Sequence, residues 1–230
     1  MSFFEKILLK NKNINFSHWF FDLDNTLYCA NSGIFDQIHK RMGEFISSNL
    51  KINLKEAKNL QEKYFIENGT TLHGLMVNHN INPKKYLEYV HDIDFSIIKP
   101  DKELNDLIKK VPGKKIVFTN ADTSYVKKIL KNLDLINIFD DIYDIEKMNF
   151  LPKPNLQTYK KLIATYNLDV KKAILFDDIP QNLIPAADLG LKTVQVYNKK
   201  LLKELNGTSK KIDYMTNNLK EWLQKWMLNN

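Results

Sequence analysis

The fold is decided by the segment Phe20-Phe21-Asp22-Leu23-Asp24-Asn25-Thr26-Leu27-Tyr28, in a chain of 230 residues. It follows His18 and Trp19, so a run of large side chains ends in two acids separated by one residue. Such a run is typical of a buried strand. Burying two negative carboxylates at the end of a strand is unfavourable unless their charge is neutralised. Mg²⁺ can neutralise them, because it binds oxygen ligands. The alternative is a strand end with solvated acids and an Asx-type turn at Asn25.

Two more apolar runs end in polar residues. The run of residues 115–119 ends at Thr119 and is followed by Asn120, and the run of residues 173–177 is followed by Asp178. Because these runs alternate with segments of helical periodicity, the pattern indicates a parallel sheet covered by helices. The carboxyl ends of such strands line the ligand crevice. We therefore expect these polar residues to meet the acids at Asp22 and Asp24.

The chain is predicted to divide into a core and an insert. Residues 31–98 show helical patterns without a convincing strand. The sequence therefore predicts an α/β fold with a Rossmann-like parallel sheet flanked by helices, and an all-helical cap domain inserted after the first strand. The core would comprise residues 1–30 and 99–230, and the cap domain residues 31–98.

The end of the chain has an amphipathic pattern from Thr216 to Leu228, with Thr216 as the predicted N-cap. Trp222 and Trp226 share one face of this helix. We expect that face to pack on the core of its own chain, and the alternative is contact with a second subunit. The sequence leaves the oligomeric state open.

The amino-acid composition restricts the kinds of partner that the protein is expected to bind. The hydrophobic fraction is 43% and the formal net charge is +7, but Arg41 is the only arginine. Since arginine is the preferred reader of phosphates and base edges, a nucleic-acid polymer is disfavoured as a partner. The single cysteine, Cys29, excludes an intrachain disulfide and a thiolate metal cluster. Residues 1–10 lack a signal-peptide core, and no apolar stretch approaches the roughly 20 residues that span a bilayer. A cytoplasmic protein without membrane contact is expected.

The segment from Phe20 to Tyr28 resembles the nucleophile motif of the haloacid dehalogenase-like superfamily. The resemblance implies that Asp22 attacks phosphorus and forms an aspartyl-phosphate. It also implies that Asp24 protonates the leaving oxygen and then activates water. Both residues would ligate Mg²⁺, Asp24 through its main-chain carbonyl.

Three further motifs follow in the family's order. Thr119-Asn120 resembles the second motif, whose hydroxyl and amide donate to phosphate oxygens. Lys153 resembles the third, a lysine that neutralises the nucleophile and the transferring phosphoryl group; the alternative is a solvated lysine in a Pro-rich turn. Asp177-Asp178 resembles the fourth, in which Asp178 would bind Mg²⁺ directly and Asp177 directly or through water. The match runs from about residue 16 to residue 196.

The wider sequence resembles the pyrimidine 5′-nucleotidase branch of the superfamily. The residues that carry this resemblance beyond the core motifs include Phe35-Asp36-Gln37-Ile38 and Gly69-Thr70-Thr71-Leu72-His73-Gly74-Leu75-Met76. Relatives often have a basic residue at the position of His73. Thr71 and His73 are therefore possible specificity residues of the cap, and the alternative is that this segment is cap core with His73 on the surface.

The predicted function is a Mg²⁺-dependent phosphatase, a phosphoric monoester hydrolase acting on a pyrimidine nucleoside 5′-monophosphate. Sugar-phosphate or phosphoglycolate phosphatase, phosphomutase and a non-catalytic phospholigand-binding role remain open. Metal-free dehalogenases lack an acid two positions after the nucleophile, so Asp24 argues against that chemistry.

Overall fold

The computed structural model describes residues 15–198 and 210–229, which form a parallel sheet with helices on both faces. The segment of residues 1–10, for which the sequence predicts no signal peptide, lies outside the described residues. The strands are β1 His18–Phe21, β2 Lys114–Phe118, β3 Asp141–Tyr143, β4 Ala173–Asp177, β5 Lys192–Val196 and β6 Tyr214–Thr216. They lie in the order β3-β2-β1-β4-β5-β6, and each neighbouring pair is parallel. The predicted α/β class is confirmed.

Helices occupy the predicted insert and the segments between the strands. They are α1 Ile34–Leu50, α2 Leu54–Asn68, α3 Thr71–His79, α4 Pro83–Val90, α5 Lys102–Lys110, α6 Thr123–Asn132, α7 Leu156–Tyr166, α8 Pro180–Asp188 and α9 Leu219–Asn229. Short 3-10 turns occur at Ala30–Ser32 and Val170–Lys172. No helix within residues 15–198 and 210–229 is long and apolar enough to cross a membrane.

The central strand β1 sends its side chains to two hydrophobic clusters. Trp19 and Phe21 join the cluster on one face of the sheet, whereas Phe20 joins the other. This is the alternation expected of a strand that is buried on both sides. Trp222 and Trp226 of α9 are buried in the first cluster, and the rings of Trp226 and Trp19 lie 4.6 Å apart, edge to face. The predicted packing of this helix on its own core is confirmed.

The prediction that Thr216 caps the last helix is wrong. Thr216 ends strand β6, which pairs with β5 at the edge of the sheet. Its hydroxyl accepts a hydrogen bond from the main-chain N–H of Asn218 at 3.0 Å. The side-chain oxygen of Asn218 in turn accepts from the N–H of Glu221 at 3.3 Å. The helix therefore starts three residues later than predicted, at Leu219, because the preceding residues complete the sheet.

Helices α1 to α4 form the insert between β1 and α5. Helices α2 and α3 approach so closely that a Cβ atom on Gly74 would lie 2.3 Å from the ring of Tyr64. Only glycine fits there. The insert reaches the rest of the chain at Gly69, where a Cβ atom would lie 3.1 Å from the carbonyl oxygen of Lys153 and from Pro154. We propose that residues 31–98 act as a cap, with residues 1–30 and 99–230 as the core.

Candidate active site

The strand ends bring the polar residues together. Asp22 directly follows β1, and its N–H donates to the carbonyl of Phe176 in β4 at 2.8 Å. Thr119 directly follows β2, and its N–H donates to Tyr143 of β3 at 3.1 Å. Asp177 is the last residue of β4. Since the strands are parallel neighbours, their carboxyl ends form one edge of the sheet.

Lys153 occupies the centre of this edge, although it lies in a loop far along the chain. Its ammonium group donates to Asp22 Oδ1 at 2.9 Å, to Asp177 Oδ2 at 2.6 Å and to the carbonyl of Phe118 at 2.8 Å. The residue is only 1% exposed, so it is not a solvated lysine. Burial alone would lower the pKa of Lys153, but the carboxylates of Asp177 and Asp22 raise it above its usual value. Lys153 therefore stays charged.

Asp177 is fully buried, and both of its oxygens are engaged. Oδ2 accepts from Lys153, and Oδ1 accepts from the N–H of Ile179 at 2.9 Å. The side-chain amide of Asn182 donates to both oxygens, at 3.0 and 3.2 Å. These contacts show that Asp177 fixes the position of Lys153 in the site.

Three carboxylates converge at the same point. Asp22, Asp177 and Asp178 each offer an oxygen, and these oxygens lie within 4.8 Å of one another. Burial raises the pKa of Asp22 well above its usual value, and the negative charges of Asp177 and Asp178 oppose the lowering effect of Lys153. Burial and the charge of Asp177 raise the pKa of Asp178 to about 7. Burial is the larger cause of both shifts, and the neighbouring carboxylates add to it.

The donor set fits Mg²⁺. Three carboxylates face one ammonium group, so a divalent cation would bring the ionised cluster to neutrality. Carboxylate oxygens are also the ligands that Mg²⁺ takes in proteins. The side-chain amide of Asn25 donates to Asp178 Oδ2 at 3.0 Å and so orients that carboxylate toward the cluster.

The Asp24 side chain lies apart from the cluster of three carboxylates. Its Oδ1 accepts a hydrogen bond from the hydroxyl of Tyr28 and a second from the hydroxyl of Tyr125, the latter at 2.8 Å. Burial raises the pKa of Asp24, and these hydrogen bonds limit that rise. Burial and the nearby Asp24 charge raise the pKa of both tyrosines well above their usual value, so the tyrosines remain neutral donors.

Thr119 and Asn120 have different surroundings. The Thr119 oxygen accepts from the N–H of Ala121 at 3.1 Å, which leaves its hydroxyl proton for another acceptor. The side chain of Asn120 makes two hydrogen bonds to the main chain of Lys153. Its oxygen accepts from the N–H of Lys153 at 2.8 Å, and its amide nitrogen donates to the carbonyl of Lys153 at 3.2 Å. One N–H of the Asn120 amide thus contacts the lysine loop, and the donation of the second N–H to phosphate stays a prediction.

The two residues predicted for the cap are placed differently. Thr71 is buried in the insert, and its hydroxyl donates to the carbonyl of Gln61 at 3.0 Å. This hydrogen bond joins α3 to α2 inside the insert. His73 is partly buried and lines a cleft of about 520 Å³ between the insert and the loop at Pro154. Its Nδ1 atom is buried without a hydrogen-bond partner among the described residues.

A second cleft, of about 820 Å³, opens beside Asn25 and Asp178. Phe65 of α2 lines both clefts and is 50% exposed. The insert therefore presents an aromatic ring and a histidine to the side of the sheet where the acids lie.

The sequence predicted no catalytic or binding role for four residues that contact the predicted site residues: Asn25, Tyr28, Tyr125 and Asn182. Asn25 and Tyr28 lie inside the segment of residues 20–28, so their closeness to the acids in sequence could have indicated a role in the site. Asn182 lies in the first turn of α8, close to Asp177 in sequence. Tyr125 gave no signal, because a tyrosine among the apolar positions of α6 resembles an ordinary core residue.

The sheet and its flanking helices form a Rossmann-like α/β fold with a cluster of acids at the carboxyl ends of the strands. Residues 19–196 match the family model described as haloacid dehalogenase-like hydrolase, and the chain belongs to this family.

Two curated relatives are similar along much of this chain. Phosphate metabolism protein 8 of Saccharomyces cerevisiae is 29% identical over 192 residues, covering 75% of this chain but 59% of that protein. Glyceraldehyde 3-phosphate phosphatase of Methanocaldococcus jannaschii is 27% identical over 226 residues, covering 87% of this chain and 92% of that protein.

Solved structures share the fold at low sequence identity. A predicted phosphatase from Clostridium acetobutylicum has a TM-score of 0.60 at 18% identity, covering 93% of this chain and 99% of that one. The HAD-hydrolase YfnB from Bacillus subtilis, whose structure contains magnesium, has a TM-score of 0.59 at 15% identity, covering 91% and 98%. At these identities the likeness concerns the fold alone.

Proposed function

We propose that the protein is a Mg²⁺-dependent phosphatase that hydrolyses a small phosphate monoester through an aspartyl-phosphate on Asp22. The observation that carries this proposal is the contact of the buried Lys153 with Asp22 and Asp177, beside the carboxylate of Asp178. A fixed buried cation at a cluster of acids suits phosphoryl transfer, in which an anion must attack an anion.

In the first step, a carboxylate oxygen of Asp22 forms a bond to phosphorus, and the bond from phosphorus to the leaving oxygen breaks. Asp24 gives its proton to that oxygen, which departs as an alcohol. Burial raises the pKa of Asp24, which favours the protonated form that this step requires. Lys153 and the Thr119 hydroxyl donate hydrogen bonds to the negative oxygens.

In the second step, water attacks the phosphorus of the aspartyl-phosphate. Asp24, now a carboxylate, accepts a proton from this water. The bond between Asp22 and phosphorus then breaks, which releases inorganic phosphate and restores both acids. Asn120 acts through the main chain of Lys153, and Asp177 acts through its ammonium group.

Asp22, Asp178 and the main-chain carbonyl of Asp24 would hold Mg²⁺. When bound, the ion supplies positive charge that offsets the charge of the nucleophile and the phosphate. Because both oxygens of Asp177 are engaged by other groups, we assign Asp177 to the positioning of Lys153 rather than to direct contact with the ion.

A pyrimidine nucleoside 5′-monophosphate is the substrate we propose. The half-exposed ring of Phe65 offers a stacking surface for a base, and His73 lies in the adjoining cleft with an unpartnered Nδ1. The proposal includes a cytoplasmic location. It includes no nucleic-acid polymer as partner, because Arg41 is the only arginine.

Glyceraldehyde 3-phosphate is the second candidate. The observation that favours it is the similarity to the archaeal phosphatase of that name, which extends over 92% of the relative's length. The two substrates share the phosphate ester and differ in the group that the insert would contact.

The test is phosphate release by the purified chain with Mg²⁺ from UMP, CMP, AMP, glyceraldehyde 3-phosphate, phosphoglycolate and glucose phosphates. The variant Asp22→Asn serves as the control, because the amide keeps the shape but cannot act as the nucleophile. Selective release from UMP and CMP supports the first candidate, and release from the triose phosphate supports the second. No release from any ester by the wild-type protein would contradict the proposed function.

A further inference from the structure

We propose that Tyr28 and Tyr125 are positioning residues that hold the Asp24 carboxyl group by Oδ1 and so reserve Oδ2 for the transferred proton. This inference rests on the proposed function, since it assigns the geometry of the acid that serves the reaction at Asp22. It adds two residues from different parts of the chain to the machinery of the site.

The contacts are confined to one oxygen of the carboxyl group. Both tyrosine hydroxyls donate to Asp24 Oδ1, and the two hydroxyl oxygens lie 3.1 Å apart because they meet at the same acceptor. No described residue makes a hydrogen bond to Oδ2. Tyr28 is 8% exposed and Tyr125 is 1% exposed, so water competes little for these bonds.

The arrangement selects the oxygen that carries the proton. A carboxyl oxygen has two lone pairs, and two donors on Oδ1 occupy both of them. When Asp24 is protonated, its proton must therefore lie on Oδ2. When Asp24 is ionised, the same two hydrogen bonds persist and Oδ2 remains the free acceptor. One geometry thus serves both the acid step and the base step of the proposed reaction.

Tyr125 is itself held by the segment that leads from the insert back to the core. Its ring stacks on His91 with centroids 4.2 Å apart and packs on Phe95 at 5.7 Å. His91 Nδ1 lies 2.5 Å from Asp122 Oδ2, at the start of α6. Because these ring contacts do not involve the hydroxyl, Tyr125→Phe would remove the hydrogen bond to Asp24 and retain the packing.

The experiment compares Tyr28→Phe, Tyr125→Phe and the double variant with the wild-type protein on two kinds of ester. One is the alkyl ester that the wild-type protein hydrolyses, either UMP or glyceraldehyde 3-phosphate. The other is 4-nitrophenyl phosphate, whose leaving group departs without being protonated. The ratio kcat/KM reports the reaction up to phosphoryl transfer, so it isolates the acid step from the later attack of water.

For the double variant we expect kcat/KM on the alkyl ester to fall by about 10- to 100-fold, within the range of general acid catalysis. On 4-nitrophenyl phosphate it should fall by less than about 3-fold, because that ester needs little help from the acid. Each single variant should show the same selectivity with a smaller loss, which keeps the test decisive if the double variant fails to fold. Tyr166→Phe is the matched control, since it removes a tyrosine–aspartate hydrogen bond of 2.7 Å outside the site.

Equal losses on both esters would overturn the inference, because they would indicate a general structural role. A gain in rate would also overturn it, since the tyrosines would then hold Asp24 away from the leaving group. Both outcomes leave the proposed function intact. A wild-type protein that hydrolyses neither ester would instead refute the proposed function, and this inference with it.

Discussion

The ammonium nitrogen of Lys153 lies 2.9 Å from Asp22 Oδ1, although 131 positions separate the two residues in sequence. The contact is buried and is completed by Asp177 on the other side of the lysine. Removing the ammonium group of Lys153 leaves the two buried carboxylates without a compensating charge. This loss destabilises the fold more than the loss of a surface ion pair does.

The variant Lys153→Met should therefore lower the free energy of unfolding by about 3–5 kcal/mol, measured by urea denaturation at pH 7. Lys147→Met is the control, because it removes a half-exposed ion pair to Asp141. That change should cost about 1 kcal/mol or less. Equal effects of the two substitutions would show that Lys153 does not neutralise the buried acids.

Gly69→Ala should impair catalysis more than stability. Gly69 has a positive φ of 79°, and a Cβ atom there would press on the carbonyl of Lys153 and on Pro154. We expect kcat/KM to fall by about 10-fold, because small displacements of catalytic groups are costly. Unfolding should become easier by about 1–2 kcal/mol, the cost of a left-handed alanine.

Gly190→Ala is the matched control for that substitution. Gly190 has a φ of 97° and follows a helix, but its Cβ atom would meet only Val170, at 3.3 Å or more. Its stability cost should be similar, whereas kcat/KM should stay within about 2-fold of the wild-type value. If both variants lose the same activity, the contact of Gly69 with the lysine loop has no special importance.

Asp141→Asn should change stability in a pH-dependent manner. Burial would raise the pKa of Asp141, but the hydrogen bonds from Lys147 and Tyr166 lower it below its usual value. A lowered pKa means that Asp141 stabilises the fold above pH of about 4, and that this contribution disappears as the pH falls through the lowered value. The substitution should cost about 1 kcal/mol at pH 7 and almost nothing once the pH is below the lowered pKa of Asp141. A cost that stays constant with pH would contradict the assigned ionisation.

Chelation of divalent cations should abolish phosphate release, and added Mg²⁺ should restore it. Asn25→Ala should raise the Mg²⁺ concentration needed for half-maximal activity by about 10-fold or more, because Asn25 orients the Asp178 carboxylate. Direct titration of Mg²⁺ by calorimetry should show the same shift without substrate. Activity that persists after chelation would contradict the assignment of the acids to a metal site.

The fold was largely predictable because its strands are short apolar runs and its helices are amphipathic. Strand β6 was not predicted, since its three residues carry no recognisable alternation and are defined by pairing with β5. The error at Thr216 has the same origin: a threonine before a helical pattern is typical of an N-cap, and nothing local showed that it belongs to a strand.

The positions of the acids could be predicted because parallel strands place their ends at one edge. The contacts of individual side chains could not. The amide of Asn120 points to the main chain of Lys153, and Thr71 points into the insert. Tyr125 reaches Asp24 although 101 positions separate the two residues in sequence. Such contacts depend on tertiary packing, which periodicity does not encode.

The most direct test of the central claim is to trap the phosphorylated protein. Wild-type protein is mixed with Mg²⁺ and the ester that it hydrolyses, quenched rapidly in acid, and digested for mass spectrometry. We predict a phosphoryl group on the peptide that contains Asp22, and its absence, together with loss of phosphate release, in Asp22→Asn. Turnover without any adduct, combined with activity retained by Asp22→Asn, would contradict the account.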